Sequence, residues 1–222
     1  MNVRVDVREL LAFYDAREDA RPYASAIKGL FGEELGFALL CEHFRREGGV
    51  AERLDLPCTT GARIGPRLDG WLKVVRAGTT TLYQVEVKTW AMHSFGGAAL
   101  AVDATTGETE DFMRRTWQQY WTGNDFADKP LKKVLTPMKP PTGEHTVEPL
   151  ACLWAAMSPN GQDAFFSVPI QDGSFPRVYV FSMSSFLRQL AEPFLVLGLP
   201  SLNARLGHLR AIFPAWSGPD MT

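Results

Sequence analysis

The apolar positions of this chain follow helical and strand periods, which together predict an α/β protein. Five apolar residues recur at helical spacing before Gly48-Gly49 and predict a helix over residues 28–47: Leu30, Phe37, Leu40, Cys41 and Phe44. Apolar and β-branched runs predict strands over residues 51–56, 63–75, 80–89, 150–157, 164–169 and 177–182. Shorter helices are predicted over residues 7–15, 108–121, 184–190 and 202–212.

These elements predict a central mixed β-sheet flanked by helices. A chain of 222 residues has the length of one domain, so we expect a single domain over residues 1–222. Its core spans about residues 28–190, with extensions at residues 1–27 and 191–222. Two segments lack periodicity: a Gly- and Ala-rich loop over residues 90–107, and a long connection over residues 123–149.

Three charged residues interrupt the predicted strands. Asp69 lies on one strand, and Glu86 and Lys88 lie two apart on the next, so the last two share a face while Val85 and Val87 share the other. Charges on an apolar strand are costly unless they pair or serve a site. If the strands form a hairpin through a turn at residues 76–79, the charges converge. Since Mg²⁺ prefers oxygen ligands, the pattern predicts a divalent-metal site beside a lysine.

At these residues the chain resembles the PD-(D/E)XK nuclease superfamily, over roughly residues 28–121. Asp69 matches the first acid of the motif, Glu86 the second and Lys88 the lysine, although Leu68 replaces the proline before the first acid. The resemblance implies a restriction-endonuclease-like fold and Mg²⁺- or Mn²⁺-dependent hydrolysis of phosphodiester bonds of DNA, as an endo- or exonuclease.

The resemblance also implies roles for individual residues. Asp69, Glu86 and the carbonyl of Val87 would bind the metal, and Lys88 would position the attacking water. Glu33, on the helix predicted over residues 28–47, would complete the site directly or through water. Glu34 is the open alternative to Glu33, and both glutamates also simply suit the first turns of a helix.

Weaker candidates for contacting the substrate follow the predicted metal strand. Gln118 and Gln119 are candidates on the helix over residues 108–121, with Arg114 or Arg115 as phosphate contacts. An amphipathic surface helix explains the same segment equally well. A lone loop histidine, His93, is more often simply solvated than a proton carrier.

Composition limits the partners and the compartment. A net charge of −2 argues against nonspecific DNA binding by the whole surface, so a partner protein or a narrow substrate footprint is expected. Paired cuts in duplex DNA would favour a homodimer. Three widely spaced cysteines, a charged N-terminus and the lack of a long apolar run predict a cytoplasmic protein without a membrane segment.

Two other hypotheses compete with a nuclease. A non-catalytic module that binds nucleic acid or a subunit would keep the fold without cutting. Alternatively, Glu86 and Lys88 would form only a surface salt bridge on an edge strand. The sequence leaves open whether the substrate is DNA or RNA, single-stranded, duplex or branched.

Overall fold

The structure is a computed structural model that describes residues 2–15, 24–62, 64–89, 130–141, 146–156, 158, 161–170, 174–202 and 204. These residues form ten strands, three α-helices whose ends are described and a 3-10 helix at Pro130–Leu135, and residues 200–202 and 204 are also helical. The helices are α1 (Val7–Asp15), α2 (Ala24–Arg46) and α3 (Met183–Arg188). The strands are β1 (Asn2–Asp6), β2 (Val50–Leu54), β3 (Cys58–Thr59), β4 (Arg67–Leu68), β5 (Gly70–Arg76), β6 (Thr79–Lys88), β7 (Thr146–Leu153), β8 (Phe165–Pro169), β9 (Arg177–Ser182) and β10 (Phe194–Gly198).

A six-stranded mixed sheet forms the centre of the fold, in the order β2-β5-β6-β7-β9-β8. Strands β6, β7 and β9 are parallel to one another, whereas β2, β5 and β8 pair antiparallel with their neighbours. The predicted α/β class and mixed central sheet are therefore confirmed. Since β6 lies between β5 and β7, the hypothesis of a salt bridge on an edge strand is wrong.

Each face of the sheet has its own apolar cluster. One cluster joins α2 to the sheet through Phe37, Leu40, Val85, Val87 and Leu150. The opposite cluster packs three sheet residues, Trp71, Leu82 and Leu153, against Val134 of the 3-10 helix and Met138, which follows it. The alternation of side chains along β6 assigns its valines to the first cluster and leaves its charged residues on the second face.

Two glycines allow α2 to approach β6 closely. A Cβ at Gly36 would lie 2.7 Å from Cγ1 of Val87, and one at Gly32 would overlap the side chain of Thr89. A larger residue at either position would push the helix off the strand. These contacts fix the first half of α2 beside the end of β6 that carries Glu86 and Lys88.

Several predicted boundaries were wrong. The helix predicted over residues 28–47 begins at Ala24 and ends at Arg46. The single strand predicted over residues 63–75 is two strands, β4 and β5, with Asp69 at the break between them. The predicted connection over residues 123–149 contains the 3-10 helix and the start of β7, which includes Pro149. The pairing of β7 with β9 begins only at Leu150, so the missing N–H of Pro149 is tolerated there.

The chain ends also differ from the prediction. Strands β1 and β10 were not predicted, and they pair antiparallel as a two-stranded sheet. Apolar residues alternate along β1, where Val3 and Val5 pack against the α2-side cluster, whereas β10 is an apolar run of which Leu195 and Leu197 are buried. Both patterns were visible in the sequence, but the prolines around residues 193–200 and the charges of residues 2–9 obscured them.

In the part of the chain that the structure describes, no helix is long and apolar enough to cross a lipid bilayer.

Candidate metal-binding active site

The β5–β6 hairpin brings Asp69 level with Glu86. Its turn places Ala77 and Gly78 at φ values of 48° and 78°, and the register pairs Gly70 with Val85. Two positive φ values in a two-residue hairpin loop match the right-handed twist of the strands. One residue further, the N–H of Asp69 donates to the carbonyl of Val85 at 3.1 Å. The predicted turn at residues 76–79 is thus confirmed.

The backbone of β6 orients the Asp69 carboxylate. The N–H of Val87 donates to Oδ2 of Asp69 at 2.7 Å. This bond is made where β4 ends and β5 begins, so the backbone of β6 has a side-chain acceptor in place of a ladder partner. The bond uses Oδ2, and the other carboxylate oxygen, Oδ1, takes no part in it.

Glu86 is almost completely buried, with 2% of its surface exposed. Burial raises its pKa, and the neighbouring charge of Asp69 raises the pKa further, whereas Lys88 and Lys133 oppose the shift. The free energy needed to keep this carboxylate ionised is therefore partly offset by cations. A metal cation bound at this place would favour the ionised form further.

The ammonium of Lys88 lies among three oxygens from the two strands. Its Nζ is 2.5 Å from Oε1 of Glu86, 3.1 Å from the carbonyl oxygen of Val87 and 4.0 Å from Oδ2 of Asp69. All three are hard oxygen donors, the type that Mg²⁺ and Mn²⁺ prefer. The predicted convergence of Asp69, Glu86 and Lys88 is present in the structure.

The donor set suits a hard divalent cation. Mg²⁺ is commonly held by one or two carboxylates and waters, and this site offers two carboxylates and one carbonyl. Burial raises the pKa of the nearby Cys58 thiol to about 12, so it stays protonated and is a poor ligand at neutral pH. Across the described ranges, no group of three or more His, Cys, Asp or Glu side chains is arranged to hold a metal, so a metal here would rely on the carbonyl and waters for its other ligands.

The two candidate glutamates of α2 have different surroundings. Glu33 is half-exposed and forms an ion pair with Arg53 of β2. Glu34 is buried and accepts hydrogen bonds from both the N–H and the hydroxyl of Ser201, which follows β10. Glu33 is therefore the one connected to the hairpin, and its role at a metal stays a prediction.

Arg53 links the helix to the hairpin, which the sequence analysis missed. Its guanidinium pairs with Glu33, donates to the carbonyl of Asp69 at 3.2 Å and lies 4.2 Å from the ring centre of Phe37. These contacts hold the backbone at Asp69 and the side chain of Glu33 together. Only the pairing of β2 with β5, which a single sequence does not specify, brings Arg53 to this place.

Gln84 fixes the segment that covers the same face of β6. Its side-chain amide donates to the carbonyls of Val134 and Thr136 at 2.5 and 2.9 Å, and its oxygen accepts from the N–H of Met138 at 3.0 Å. The side chain is completely buried. The segment is therefore held beside Glu86, with Lys133 close enough to lower the pKa of that carboxylate. The signal available in the sequence was the position of Gln84, a polar residue two positions before Glu86 and therefore on the same face of the strand.

The weaker substrate candidates lie outside the described residues. These are Arg114, Arg115, Gln118 and Gln119, together with His93 and the predicted loop over residues 90–107.

Comparison of the chain with protein-family models, with characterised proteins and with solved structures finds no match.

Proposed function

We propose that this chain is a Mg²⁺- or Mn²⁺-dependent nuclease that hydrolyses phosphodiester bonds of DNA. The observation that supports it is the set of three oxygens around the Lys88 ammonium: the carboxylates of Glu86 and Asp69 and the carbonyl of Val87. A buried acid with its pKa raised beside a second acid is typical of functional sites.

The arrangement of strands and helix also supports a restriction-endonuclease-like domain of the PD-(D/E)XK superfamily. The first acid lies at the start of an antiparallel hairpin, and the Glu-x-Lys lies on an interior strand that continues into parallel pairing. Helix α2 packs on the apolar face of that strand and carries Glu33 towards the first acid.

Each residue has a role in the proposed reaction. Asp69, Glu86 and the Val87 carbonyl would hold the cation, and Glu33 would complete the site directly or through water. The cation would supply a water of lowered pKa and positive charge opposite the developing charge on phosphorus. Lys88, a compact cation, orients the attacking water. As the water oxygen bonds to phosphorus, the bond to the 3′ oxygen breaks in line. The attacking water gives up a proton to solvent, and the leaving 3′ oxygen takes a proton from a solvent water.

Supercoiled plasmid and single-stranded circles test this proposal, each incubated with Mg²⁺, with Mn²⁺ and with chelator. We expect metal-dependent cleavage that Glu86→Gln and Asp69→Asn each lower at least roughly 100-fold, because each removes a carboxylate that would hold the cation opposite the developing charge on phosphorus. Glu148→Gln is the matched control, since Glu148 is also an acid of the sheet with a raised pKa but pairs with Tyr83, towards the other end of β6.

Binding of Mn²⁺, measured by calorimetry, completes the test. Wild type and Glu148→Gln should bind the ion, and Glu86→Gln should not. Cleavage that survives in Glu86→Gln, Asp69→Asn and Lys88→Ala would disprove the assignment. Absence of both cleavage and ion binding in wild type would favour the non-catalytic module that binds nucleic acid or a partner protein.

A further inference from the structure

A cleft of about 560 Å³ opens beside Asp69, a size within the usual range for ligand sites. Its charged lining residues are Glu33, Arg53, Asp55, Arg67 and Asp69. The cleft therefore leads away from the candidate metal site along the short β3–β4 ribbon.

The β3–β4 ribbon is held in place by an apolar cluster and by one backbone hydrogen bond. Its register pairs Cys58 with Leu68 and Thr59 with Arg67, and the first of these pairs is buried in the cluster around Trp71. The carbonyl of Thr59 accepts a hydrogen bond from the N–H of Lys139 at 2.8 Å. This anchoring holds the exposed side chain of Arg67 at the cleft and the exposed side chain of Lys139 beside the ribbon.

Among the residues that the structure describes, Arg67 has no counter-ion. Of the three acids of the cleft, Glu33 is paired with Arg53, Asp69 lies 4.0 Å from the ammonium of Lys88, and Asp55 has no ion pair within the described residues. Among the described residues, no carboxylate lies within 4.0 Å of the Arg67 guanidinium. A guanidinium presents parallel N–H donors that match the oxygens of a phosphate.

We infer that the cleft binds the phosphate backbone of one DNA strand, with Arg67 contacting a phosphate next to the one at Asp69 and Lys139 contacting the strand further along the ribbon. This inference rests on the proposed function for the identity of the ligand. Two local contacts of this kind would let a chain with a net charge of −2 bind DNA, because Arg67 lies on the ribbon and Lys139 lies beside it.

The test measures binding rather than cleavage. Fluorescence anisotropy of a labelled single-stranded oligonucleotide is recorded at several salt concentrations with Ca²⁺, which takes the same oxygen ligands as Mg²⁺, and a gel checks that the probe stays intact. The variants are Arg67→Ala, Arg67→Lys and Lys139→Ala. Arg177→Ala is the matched control, since Arg177 is an exposed arginine at the start of β9.

We expect Arg67→Ala to weaken binding roughly tenfold and to reduce the slope of log K against log salt by about 0.7, the value for one single-strand phosphate contact. Arg67→Lys should keep the slope but bind less tightly, because it keeps the charge and loses the paired donors. Lys139→Ala should lower the slope in the same way, and Arg177→Ala should match wild type.

Three results would overturn the inference. They are an equal salt slope in wild type and Arg67→Ala, an equal loss of affinity in Arg67→Ala and Arg177→Ala, and no binding of the oligonucleotide by wild type. The plasmid assay judges the nuclease separately. If DNA binding depends on Arg67 but no cleavage is found, the strand-binding cleft is supported and the catalytic proposal is rejected.

Discussion

The two faces of strand β6 are buried to a similar extent, but they depend on different interactions. On one face Val85 and Val87 are 0% and 7% exposed and pack against α2. On the other face Gln84 and Glu86 are 0% and 2% exposed and each has specific polar partners. Apolar contacts are non-directional, whereas each buried polar group needs a particular donor, acceptor or charge.

This difference predicts where substitutions are costly. On the apolar face, removing a methyl group costs transfer free energy and leaves a cavity, and neighbouring side chains can relax. On the polar face, removing one partner leaves another group buried and unsatisfied. A strand with one such face should therefore tolerate substitution less well than a fully apolar strand.

The largest effect should come from removing the cation of the polar face. Lys88→Met leaves Glu86 buried beside Asp69 without its ammonium, so we expect a loss of about 3 kcal/mol in the free energy of unfolding. This is the lower end of the range for buried pairs, because the Lys88 side chain keeps 17% of its surface exposed. Urea denaturation at neutral pH with chelator measures it.

A second substitution shows whether that loss comes from the buried charge. Glu86→Gln in the Lys88→Met background removes the charge and should recover most of the stability. Lys73→Met, on β5, is the control and should change stability by less than about 0.5 kcal/mol, since the side chain is partly exposed and no carboxylate of the described residues pairs with it. Equal losses in Lys88→Met and in the double variant would contradict the charge argument.

The next largest effect should come from Gln84. Gln84→Leu keeps the side chain apolar and of similar size, but it leaves the carbonyls of Val134 and Thr136 and the N–H of Met138 without their partner. We expect a loss of about 2 kcal/mol. Hydrogen exchange at the Met138 amide should become faster than the loss of global stability alone explains. Exchange at the amides of α2 should change only as much as the global free energy of unfolding does.

Thr79→Val, at the exposed start of β6, serves as the control for Gln84→Leu. Unchanged protection of Met138 in Gln84→Leu would show that the segment after the 3-10 helix is held by its apolar contacts alone.

The sequence predicted the features that depend on local pattern. The alternation of Val85, Glu86, Val87 and Lys88, and the turn at residues 76–79, identified the strand, its two faces and the hairpin. The contacts of Arg53 with Glu33 and with Asp69 were not predictable, because they depend on the pairing of β2 with β5. The same holds for Gln84, whose partners lie 50 to 54 positions away. Long-range pairing is set by tertiary packing, which a single sequence does not report.

The smallest effect that we predict comes from Gly36→Ala, which tests whether the two faces of β6 depend on each other. Alanine usually stabilises a helix by about 1 kcal/mol relative to glycine. At Gly36, however, the new Cβ would lie 2.7 Å from Cγ1 of Val87 and 3.1 Å from Sγ of Cys152, so Gly36→Ala should destabilise by about 1 kcal/mol net. Val87→Ala in the same chain makes room, and a double-mutant cycle should give a favourable coupling.

The side chain of Val87 packs on α2 while its carbonyl accepts from Lys88, so the clash should also displace an oxygen of the candidate metal site. Weaker binding of Mn²⁺ by Gly36→Ala, restored in the double variant, would show that packing on the apolar face positions the polar one. A Gly36→Ala variant that is more stable than wild type and binds Mn²⁺ equally well would show that the two faces are independent.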